Sequence, residues 1–501
     1  MSENNETVMT GAEEVSSEDI FQQRVRKVEE LQAEGINPFG GRFENVRLIC
    51  ELRASYQPDS TEIQPATLAG RLTGVRNMGG SIFADLKDSS GKMQLFINKK
   101  AIGEEKFKFF RRIDIGDIVG ITGELFITKM GELTVKVAEF ELLSKSLRPL
   151  PEKFHGLTNI EQRYRQRYLD LITNDESKQV LLQRSLITRE IRKFMESKGF
   201  IEVETPMIQP IPGGAAAEPF KTYYGALSSE MFMRIAPELY LKKLLVGGFE
   251  KIYEMNRNFR NEGMDRKHNP EFTSMEIYQA YGDCRTMMEL IEELVTTVAT
   301  NVFGTLKFEH ASGTIDLTRP WKRVEYRELV KEYAGADWFE LTFAEKVAKA
   351  KSMGLAVNES MPEFEVTNEI YDKLIEGKLI QPTFVTRLPK EMVPLAKGCT
   401  DDPALVDVYE LVVNGQELCP GYSELNDPIV QRQRFMEQFE REKKEGDEVA
   451  DKIDEDFLTA LEFGMPPAGG LGIGIDRLAM LLTGAESIRD VILFFQMKLK
   501  K

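Results

Sequence analysis

The chain has 501 residues, of which 42% are hydrophobic and 29% are charged. This length predicts roughly two to four domains, and the composition is typical of a folded globular protein and excludes one that is disordered throughout. No apolar run approaches the roughly 18 residues that a membrane span requires, and the N-terminus lacks the basic and apolar regions of a secretory signal. We therefore expect a cytoplasmic protein that has no membrane partner.

Cysteine and histidine are sparse. The three histidines are dispersed, and the four cysteines form no CxxC pair. Closely spaced residues of these two types are the usual signature of zinc sites and redox motifs. The sequence therefore supports neither a disulfide framework nor a zinc site.

The charge is unevenly distributed. The formal net charge is −16, and residues 1–20 carry six acidic residues and no lysine or arginine. Residues 65–145 carry 13 basic and 10 acidic residues, so that this segment has a net charge of +3. A locally basic module can bind a phosphate backbone, although a solvated surface of mixed charge explains these numbers equally well.

The N-terminal third is predicted to contain a small β-barrel. Residues 1–17 have the composition of a disordered acidic tail, and Ser17 is expected to cap a helix at the start of a connecting segment, 18–64. Over 65–145 the hydrophobic period is two, in five short strands with a helix after the third. This order predicts an OB-fold, which commonly binds oligonucleotides, and a small SH3-like barrel is the alternative.

The remainder is predicted to be one α+β domain. Residues 146–157 are interrupted by prolines and are expected to form a linker to the region 158–501. The strands of that region follow one another through hairpins, which predicts a mostly antiparallel sheet. A helix-rich insertion at about 325–390 separates two groups of strands.

Residues 256–272 are predicted to form a strand, a polar loop and a second strand. If Arg260 and Glu262 lie on the first strand, their side chains point to the same face. Arginine binds phosphate through its planar fork, and Phe272 at the far end of the loop can stack on a base. A nucleotide site and a plain charged hairpin are equally compatible with these residues.

A second hairpin brings two glutamates together. The Asn-Gly dipeptide at 414–415 is a strong signal for a two-residue turn. Such a turn pairs Val412 with Glu417 and Glu410 with Cys419, so that the two glutamates are diagonal neighbours about 7–8 Å apart. Two carboxylates at this spacing suit Mg²⁺ together with substrate phosphates, and the alternative is two exposed acids.

The segment GGLGIGIDRLAMLL, 469–482, is predicted to pass from glycine-rich turns into an apolar helix with Arg477 near its start. A helix N-terminus favours anions. The glycine spacing matches neither a Rossmann fingerprint nor a P-loop. A nucleotide would therefore be bound by another fold.

Three segments together resemble the signature motifs of class II aminoacyl-tRNA synthetases: KGFIEVETP (198–206), FRNE…HNPEF (259–272) and GIGIDR (472–477). The flanking segments PGGAAAEPF, RIAPELYLKKL and YSELND are similar to bacterial-type lysyl-tRNA synthetases of subclass IIb. The resemblance runs from about residue 18 to the C-terminus. It implies an antiparallel-sheet catalytic domain with an N-terminal OB-fold, in a homodimer whose interface includes Pro206.

The resemblance implies ATP-dependent activation of L-lysine to lysyl-adenylate and transfer to the 3′ end of tRNA(Lys). Two arginines, Arg260 and Arg477, are expected to be catalytic, and Glu410 and Glu417 are expected to bind Mg²⁺. The residues expected to bind ATP are Arg260, Glu262, His268, Asn269, Phe272 and Arg477. The residues expected to bind lysine are Gly214, Glu238, Glu276, Tyr278, Tyr422 and Glu424.

There is a physical reason for carboxylates in the lysine pocket, because an ammonium group that loses its water needs fixed anionic partners.

In the OB-fold, the resemblance implies that Arg76, Phe83 and Gln94 bind the anticodon, and the alternative for Phe83 is a buried core position. Two residues depart from the family pattern: Pro420 replaces an asparagine that contacts substrate, and Glu218 replaces a basic residue.

Three other functions share parts of this pattern. A related subclass IIb enzyme for aspartate or asparagine would not need three glutamates in its pocket. A paralogue that acts on another acceptor is disfavoured because such relatives lack the OB-fold. A non-catalytic tRNA-binding protein is disfavoured because Arg260, Arg477, Glu410 and Glu417 are all retained.

Overall fold

The computed structural model describes residues 16–151, 157, 159–215, 217–445 and 453–498, with side chains omitted for 441–445. The chain divides into two compact units, Met1–Thr158 and Asn159–Lys501. The predicted acidic tail falls almost wholly on residues 1–15, which lie outside the described residues.

The first unit begins with helix α1, Ser17–Ala33, followed by α2, Ile49–Ser55. The cap of α1 is Ser16 and not Ser17, as the sequence had suggested. The Ser16 hydroxyl accepts the N–H of Asp19 at 3.1 Å, and the Asp19 carboxylate accepts the N–H of Ser16 at 3.2 Å. This reciprocal pair needs an acid three residues after the cap, which Ser16 has in Asp19.

The first unit then closes into a five-stranded barrel. Its strands are β1, Pro65–Met78; β2, Ser81–Lys87; β3, Lys92–Asn98; β4, Ile118–Ile127; and β5, Leu133–Ser144. Two short helices, α3, Lys99–Ile102, and α4, Glu104–Phe110, lie between β3 and β4. The strand order around the closed barrel is β1-β2-β3-β5-β4. The predicted OB-fold order, with helix after the third strand, is confirmed.

The second unit contains twelve helices and thirteen strands among its described residues. The helices are α5, Ile160–Arg165; α6, Arg167–Thr173; α7, Asp175–Ser197; α8, Glu238–Val246; α9, Cys284–Phe303; α10, Tyr326–Ala334; α11, Phe343–Ser352; α12, Glu363–Ile370; α13, Pro428–Glu445; α14, Glu455–Glu462; α15, Ile475–Thr483; and α16, Ile488–Val491. The strands are β6, Ile201–Glu202; β7, Ile208–Gln209; β8, Lys221–Tyr224; β9, Ser229–Met233; β10, Lys251–Phe259; β11, Glu271–Ala280; β12, Lys307–His310; β13, Gly313–Asp316; β14, Lys322–Glu325; β15, Thr383–Thr386; β16, Val408–Val413; β17, Gln416–Ser423; and β18, Ala468–Gly474.

Eight of these strands form the central sheet, in the order β14-β15-β16-β17-β18-β11-β10-β6. Five of its seven neighbouring pairs are antiparallel, and the pairs β6–β10 and β14–β15 are parallel. The predicted mostly antiparallel sheet is confirmed.

Side-chain alternation on β11 separates the core from the functional face. Met275 and Ile277 are fully buried in the main core, together with residues of α7, α9 and α15. Because successive side chains of a strand point to opposite faces, Glu276 and Tyr278 project from the other face. That face carries the cavity described below.

Helices α10, α11 and α12 lie between β14 and β15 and pack around a separate core that includes the fully buried Trp338. A π-helical turn, Tyr371–Ile375, follows α12. Within the part of the chain that the structure describes, no helix is both long and apolar enough to cross a membrane.

Candidate active site

A cavity of about 420 Å³ opens on the functional face of the central sheet. Twelve of the fourteen residues expected to bind ATP, lysine or Mg²⁺ line it: Gly214, Glu238, Arg260, Glu262, His268, Asn269, Phe272, Glu276, Tyr278, Glu417, Tyr422 and Arg477. Two others, Glu410 and Glu424, do not line it. We refer to the part around Arg260, His268 and Arg477 as the basic end and to the part around Glu238, Glu276 and Tyr422 as the acidic end.

The loop between β10 and β11 forms much of the basic end. Strand β10 ends at Phe259, so Arg260 and Glu262 follow the strand and do not lie on it as the sequence had suggested. The Arg260 N–H donates to the Pro270 carbonyl at 2.9 Å and closes the base of the loop. The Asp265 carboxylate accepts the N–H of His268 at 2.8 Å and lies 2.9 Å from its Nδ1. The loop is therefore held by its own polar groups.

Arg260 is a partly buried cation whose guanidinium does not use all of its hydrogen-bonding groups. Its guanidinium lies over the Phe272 ring, 5.1 Å from the centroid. Its Nε is buried and has no hydrogen-bond partner among the described residues, as is also true of Oδ1 of Asn258. Burial lowers the pKa of Arg260, although Glu262 and Glu417 oppose this effect. A partly buried guanidinium with an unmatched N–H suits an anionic ligand.

Arg477 connects the basic end to the hairpin of β16 and β17. It lies in the first turn of α15. Its Nη1 donates to the Glu417 carbonyl at 2.6 Å, and its Nη2 is 3.4 Å from Nε2 of His268. The arginine thus contacts both elements that flank this part of the cavity.

The glycine-rich segment before Arg477 is strand β18 and not the series of turns predicted from the sequence. It lies between β17 and β11 in the sheet. A Cβ on Gly470 would be 1.9 Å from Oε1 of Glu424 and 2.7 Å from the Tyr278 ring. Glycine is therefore required here because side chains of the acidic end pack directly on the strand.

The hairpin register is only partly as predicted. Asn414 and Gly415 have φ values of 56° and 67° and form the turn, and Val412 faces Glu417. Beyond this pair the register shifts, so that Glu410 faces Pro420 and the predicted pairing with Cys419 is wrong.

The shift arises because β17 contains one extra residue. Leu411 pairs with Cys419 and Val412 with Glu417, so Leu418 opposes no residue of β16. This is a β-bulge. Residues that pair across antiparallel strands share a face, so Glu410 shares the face of Pro420, which lines the cavity.

The two glutamates of the hairpin affect each other. Burial raises the pKa of Glu410 well above its usual range, and the negative charges of Glu417, Asp372 and Glu376 raise it further. Mutual repulsion of this kind is relieved by a cation, and paired carboxylates match the oxygen ligands that Mg²⁺ prefers. Among the described residues, no group of three or more His, Cys, Asp or Glu side chains is placed to hold a metal ion.

The acidic end is assembled from three elements. Glu238 is the first residue of α8, and Glu276 and Tyr278 alternate on β11 as predicted. The Tyr278 hydroxyl donates to Oε2 of Glu276 at 3.0 Å, and the Tyr422 hydroxyl donates to Oε1 of Glu238 at 2.5 Å. Burial, followed by the charge of Glu238, raises the pKa of Glu276 to about 8. A positively charged ligand would stabilise its ionised form.

Lys242 is a charged residue of this region that the sequence reasoning missed. It is fully buried, and its Nζ lies 2.9 Å from Oε1 of Glu238 and 2.6 Å from Oε2 of Glu424. Its position four residues after Glu238 on a helix is the signal that could have identified the first of these pairs. Glu424, which was expected in the pocket, is therefore paired with a lysine of the protein itself.

The two departures from the family pattern lie in different surroundings. Pro420 lines the cavity, and β17 pairs with β18 only from Gly421 onward, so the missing N–H breaks no bond of that ladder. The side chain of Glu218 is exposed and does not line the cavity.

In the barrel, Phe83 is half-buried and lies outside the hydrophobic core, so the core alternative does not apply. Its ring packs on Phe96, with centroids 5.1 Å apart, and Phe96 packs on Phe126 at 6.0 Å. Such a row of rings is suited to stacking with unpaired bases.

Arg76 and Gln94 are engaged within the barrel. Arg76 pairs with Asp85 at 3.2 Å. The Gln94 amide donates to Glu132 at 2.8 Å and accepts from the Thr134 hydroxyl at 3.0 Å. Contact with a base would compete with these bonds.

Comparisons with known proteins agree with both units. The family described as tRNA synthetases class II (D, K and N) matches residues 159–498. The family described as OB-fold nucleic acid binding domain matches residues 66–143.

Similar proteins cover nearly the whole chain. The lysine–tRNA ligase of Pelotomaculum thermopropionicum is 51% identical over 495 residues, which are 98% of this chain and 96% of that protein. The lysine–tRNA ligase of Carboxydothermus hydrogenoformans is 50% identical, with 95% and 97% covered. That of Thermoanaerobacter sp. (strain X514) is 48% identical, with both chains fully covered. The chain therefore belongs to the class II tRNA synthetases of the D, K and N group, and within that group to the lysine–tRNA ligase family.

Proposed function

We propose that the protein activates L-lysine with ATP and transfers the lysyl group to the 3′ end of tRNA(Lys). In the first step a lysine carboxylate oxygen forms a bond to the α-phosphorus of ATP, and the bond to pyrophosphate breaks. The observation that carries this proposal is a single cavity with a partly buried arginine, whose Nε has no partner among the described residues, at one end and carboxylates at the other. Such a cavity can hold a nucleoside triphosphate in contact with a second ligand that carries an ammonium group.

The basic end would bind ATP. Arg260 would stabilise the negative charge that develops on the α-phosphate, through the N–H that has no partner among the described residues. Phe272 would stack on adenine, and Arg477 would neutralise the remaining phosphates. Glu262, His268 and Asn269 would position the nucleotide. No covalent nucleophile is required, because positioning and charge neutralisation supply most of the rate in phosphoryl transfer.

The acidic end would bind lysine. An ammonium group entering this buried region exchanges water for carboxylates, which is favourable only if the carboxylates are fixed. Tyr278 and Tyr422 fix Glu276 and Glu238 by donating hydrogen bonds to them. Gly214 lies against Glu238, since a Cβ on Gly214 would be 3.0 Å from the Glu238 Cβ. Glu424 would contribute to the same site through its ion pair with Lys242.

Glu410 and Glu417 would hold Mg²⁺ with help from the phosphates. When bound, the ion neutralises phosphate charge that would otherwise oppose attack on the α-phosphorus. The raised pKa of Glu410 is consistent with this proposal, because a cation would offset both of its causes, first the burial of the carboxylate and then the negative charges of Glu417, Asp372 and Glu376.

The barrel would bind the anticodon. Phe83 would stack on an unpaired base, and Gln94 and Arg76 would contact its edge or backbone. The half-buried position of Phe83 outside the core supports this assignment.

We further propose a cytoplasmic homodimer. Large apolar side chains are exposed on both sides of Pro206 in the sequence, on β6, on β7 and β8 of the small sheet, and in the turn that joins β8 to β9; they are Ile201, Ile208, Tyr223, Tyr224 and Leu227. Exposed apolar patches commonly mark protein interfaces. Light scattering should give twice the chain mass of 57.1 kDa, and a monomer would contradict the proposal.

The decisive test of the activity is ATP–pyrophosphate exchange with Mg²⁺ and each of the twenty amino acids in turn, without tRNA. We expect exchange with lysine alone. Exchange with a different amino acid would assign the pocket to another substrate, and no exchange with any of them would overturn the proposal.

A further inference from the structure

The hairpin of β16 and β17 is attached to the helix-rich insertion at its turn. The N–H of Asn414 donates to the Ile380 carbonyl at 2.9 Å, and the N–H of Gly415 donates to the Leu379 carbonyl at 3.0 Å. A Cβ on Gly415 would lie 2.8 Å from the Gly377 carbonyl oxygen, so the two main chains are in direct contact. The hairpin that carries both glutamates expected to bind Mg²⁺ is therefore held by residues that do not line the cavity.

The main chain of Glu417 is bonded to side chains from outside its own hairpin. Its N–H donates to Oε1 of Glu376 at 2.8 Å, and its carbonyl accepts from Nη1 of Arg477 at 2.6 Å. The bulged Leu418 follows Glu417 directly, and β17 pairs with β18 only from Gly421 onward. Since β18 does not support this part of β17, Glu376 supplies a hydrogen bond that the sheet does not.

A π-helical turn brings Glu376 to this position. The turn, Tyr371–Ile375, ends where the N–H of Glu376 donates to the Tyr371 carbonyl, five residues back. In such a turn, residues five positions apart lie one above the other, whereas in an α-helix they lie on different faces. Burial raises the pKa of Tyr371, and the charges of Glu410 and Glu417 on the hairpin raise it further. Both side chains of the turn therefore face the hairpin.

Glu376 is placed to orient a cation ligand and not to act as one. It does not line the cavity, whereas Glu417 does, and its Oε1 is occupied by the Glu417 N–H. It also completes no set of three metal-binding side chains in the described part of the chain. Groups that hold a metal ligand in place without touching the ion typically change metal affinity by about 10- to 100-fold when they are removed.

We propose that Glu376 is a positioning residue for the cation site: by holding the main chain of Glu417, it sets the direction of the Glu417 carboxylate and thereby the affinity for Mg²⁺. This inference rests on the proposed function, in which Glu410 and Glu417 hold the ion. It gives the helix-rich insertion a part in the reaction through residues that lie outside the cavity.

Two variants separate the hydrogen bond from the charge. Glu376→Gln keeps an oxygen at the same reach but loses the charge, whereas Glu376→Asp keeps the charge but is shorter by one methylene. The probe is Mn²⁺, titrated into the protein with α,β-methylene ATP, which cannot release pyrophosphate, and followed by water proton relaxation. We expect Glu376→Gln to bind Mn²⁺ within about threefold of the wild type and Glu376→Asp to bind it about tenfold more weakly.

Two further measurements exclude a general disturbance of the fold. Glu359→Ala removes an exposed glutamate of the same insertion and should keep the wild-type affinity for Mn²⁺. The KM for lysine, measured by pyrophosphate exchange at saturating Mg²⁺, should stay within about twofold of the wild-type value in both Glu376 variants. A KM for lysine that rises in step with the loss of Mn²⁺ affinity would indicate a purely structural role and would overturn the inference.

The order of the two variants decides the remaining outcomes. Equal Mn²⁺ affinities in Glu376→Gln and Glu376→Asp, or tighter binding by Glu376→Asp, would overturn the inference, because the hydrogen bond would then not be what matters. Absence of Mn²⁺ binding by the wild-type protein would overturn the proposed Mg²⁺ site, and this inference with it. If the wild-type protein binds Mn²⁺ but shows no exchange with lysine, the proposed activity fails, and the two variants still test the inference.

Discussion

The two ends of the cavity differ in how far their polar groups are satisfied. At the acidic end, Glu238 and Glu276 each accept a hydrogen bond from a tyrosine, and Lys242 neutralises part of the charge. At the basic end, Nε of Arg260 and Oδ1 of Asn258 are buried without partners among the described residues. Glu424, behind the acidic end, also has buried oxygens without a hydrogen-bond partner among the described residues, although its Oε2 forms an ion pair with Lys242 at 2.6 Å. The carboxylates of Glu238 and Glu276, which line the cavity, are thus fixed before a ligand arrives, whereas Arg260 is completed by its ligand.

This difference has an energetic reason. Carboxylates that crowd together repel each other and need internal donors to keep their positions. A single guanidinium can be held by packing on an aromatic ring, as Arg260 is on Phe272, with its hydrogen bonds kept for a phosphate. Substitutions at the two ends should therefore separate effects on stability from effects on activity.

The largest effect is expected from Arg260→Ala. Loss of the charge that faces the reacting phosphate should lower pyrophosphate exchange by about 1,000-fold or more. The thermal stability should change little, because the guanidinium has bonding capacity unused in the ligand-free protein. Arg257→Ala, which removes a partly exposed arginine from β10, three residues before Arg260, is the matched control and should keep exchange near the wild-type rate. A large loss of stability in Arg260→Ala would contradict the distinction between the two ends.

The second-largest effect on activity is expected from Glu276→Ala, at the acidic end. Removing the carboxylate leaves the substrate ammonium with fewer partners, at a cost of about 2–3 kcal/mol, which corresponds to a rise in the KM for lysine of roughly 30- to 150-fold. The KM for ATP should stay within about twofold of the wild-type value. Glu289→Ala, an exposed glutamate on α9, is the control. Near-normal activation of lysine by Glu276→Ala would remove Glu276 from the pocket.

Gly470→Ala should disturb the organisation of the acidic end through packing alone. The new Cβ would overlap Oε1 of Glu424, so the strand or the carboxylate must move, at a cost of about 1–3 kcal/mol in the free energy of unfolding. In the same strand, a Cβ on Gly472 would be at an ordinary 3.7 Å from the Glu276 side chain. Chemical denaturation should therefore show Gly472→Ala to be clearly less destabilised, and equal losses would mean that strand conformation matters more than the overlap.

The smallest effect concerns pH. The pKa of Glu276 in the ligand-free protein is raised to about 8 from an ordinary value of 4.5. The folded protein then binds more protons than the unfolded chain between these values, so this group's contribution to stability is complete below pH 4.5 and is lost as the pH rises through 8. Lysine selects the ionised carboxylate, whose fraction rises from about 1% at pH 6 to about half at pH 8, so the affinity for lysine should rise over this range.

Thermal shifts with and without lysine across this range measure the effect. Glu276→Gln should remove most of the pH dependence. If the slope persists in that variant, the titrating group is Glu424, whose pKa is also raised to about 8 by burial.

Regular patterns were predictable from the sequence, and departures from them were not. The barrel strands and the turn at Asn414 follow from alternation and from residues that tolerate positive φ. The extra residue Leu418 was not visible, because nothing local distinguishes a bulged leucine from a paired one. Strand β18 was mistaken for turns because a glycine such as Gly470 is required by Glu424 and Tyr278, which are distant in sequence.

Much of the site was recognised through similarity of its motifs, and the physics of single residues would not have been enough. A glutamate such as Glu276 is, taken alone, more often a surface acid. The role of Lys242 was missed for the opposite reason, since a lysine on a helix is normally expected in solvent. Its burial depends on Glu424, which lies 182 positions away in the chain and can be paired with it only by the tertiary fold.

The bulge at Leu418 determines which side chains of β17 share a face. Glu417 and Tyr422 are five residues apart, and in a regular strand an odd separation puts two side chains on opposite faces. The extra residue makes the effective separation even, so that Glu417 beside Arg477 and Tyr422 beside Glu238 both face the cavity. Deleting Leu418 would thus shorten the hairpin and still leave Glu417 and Tyr422 on the same face of β17. Deleting a residue between Leu418 and Tyr422 would instead turn one of these two side chains toward the core.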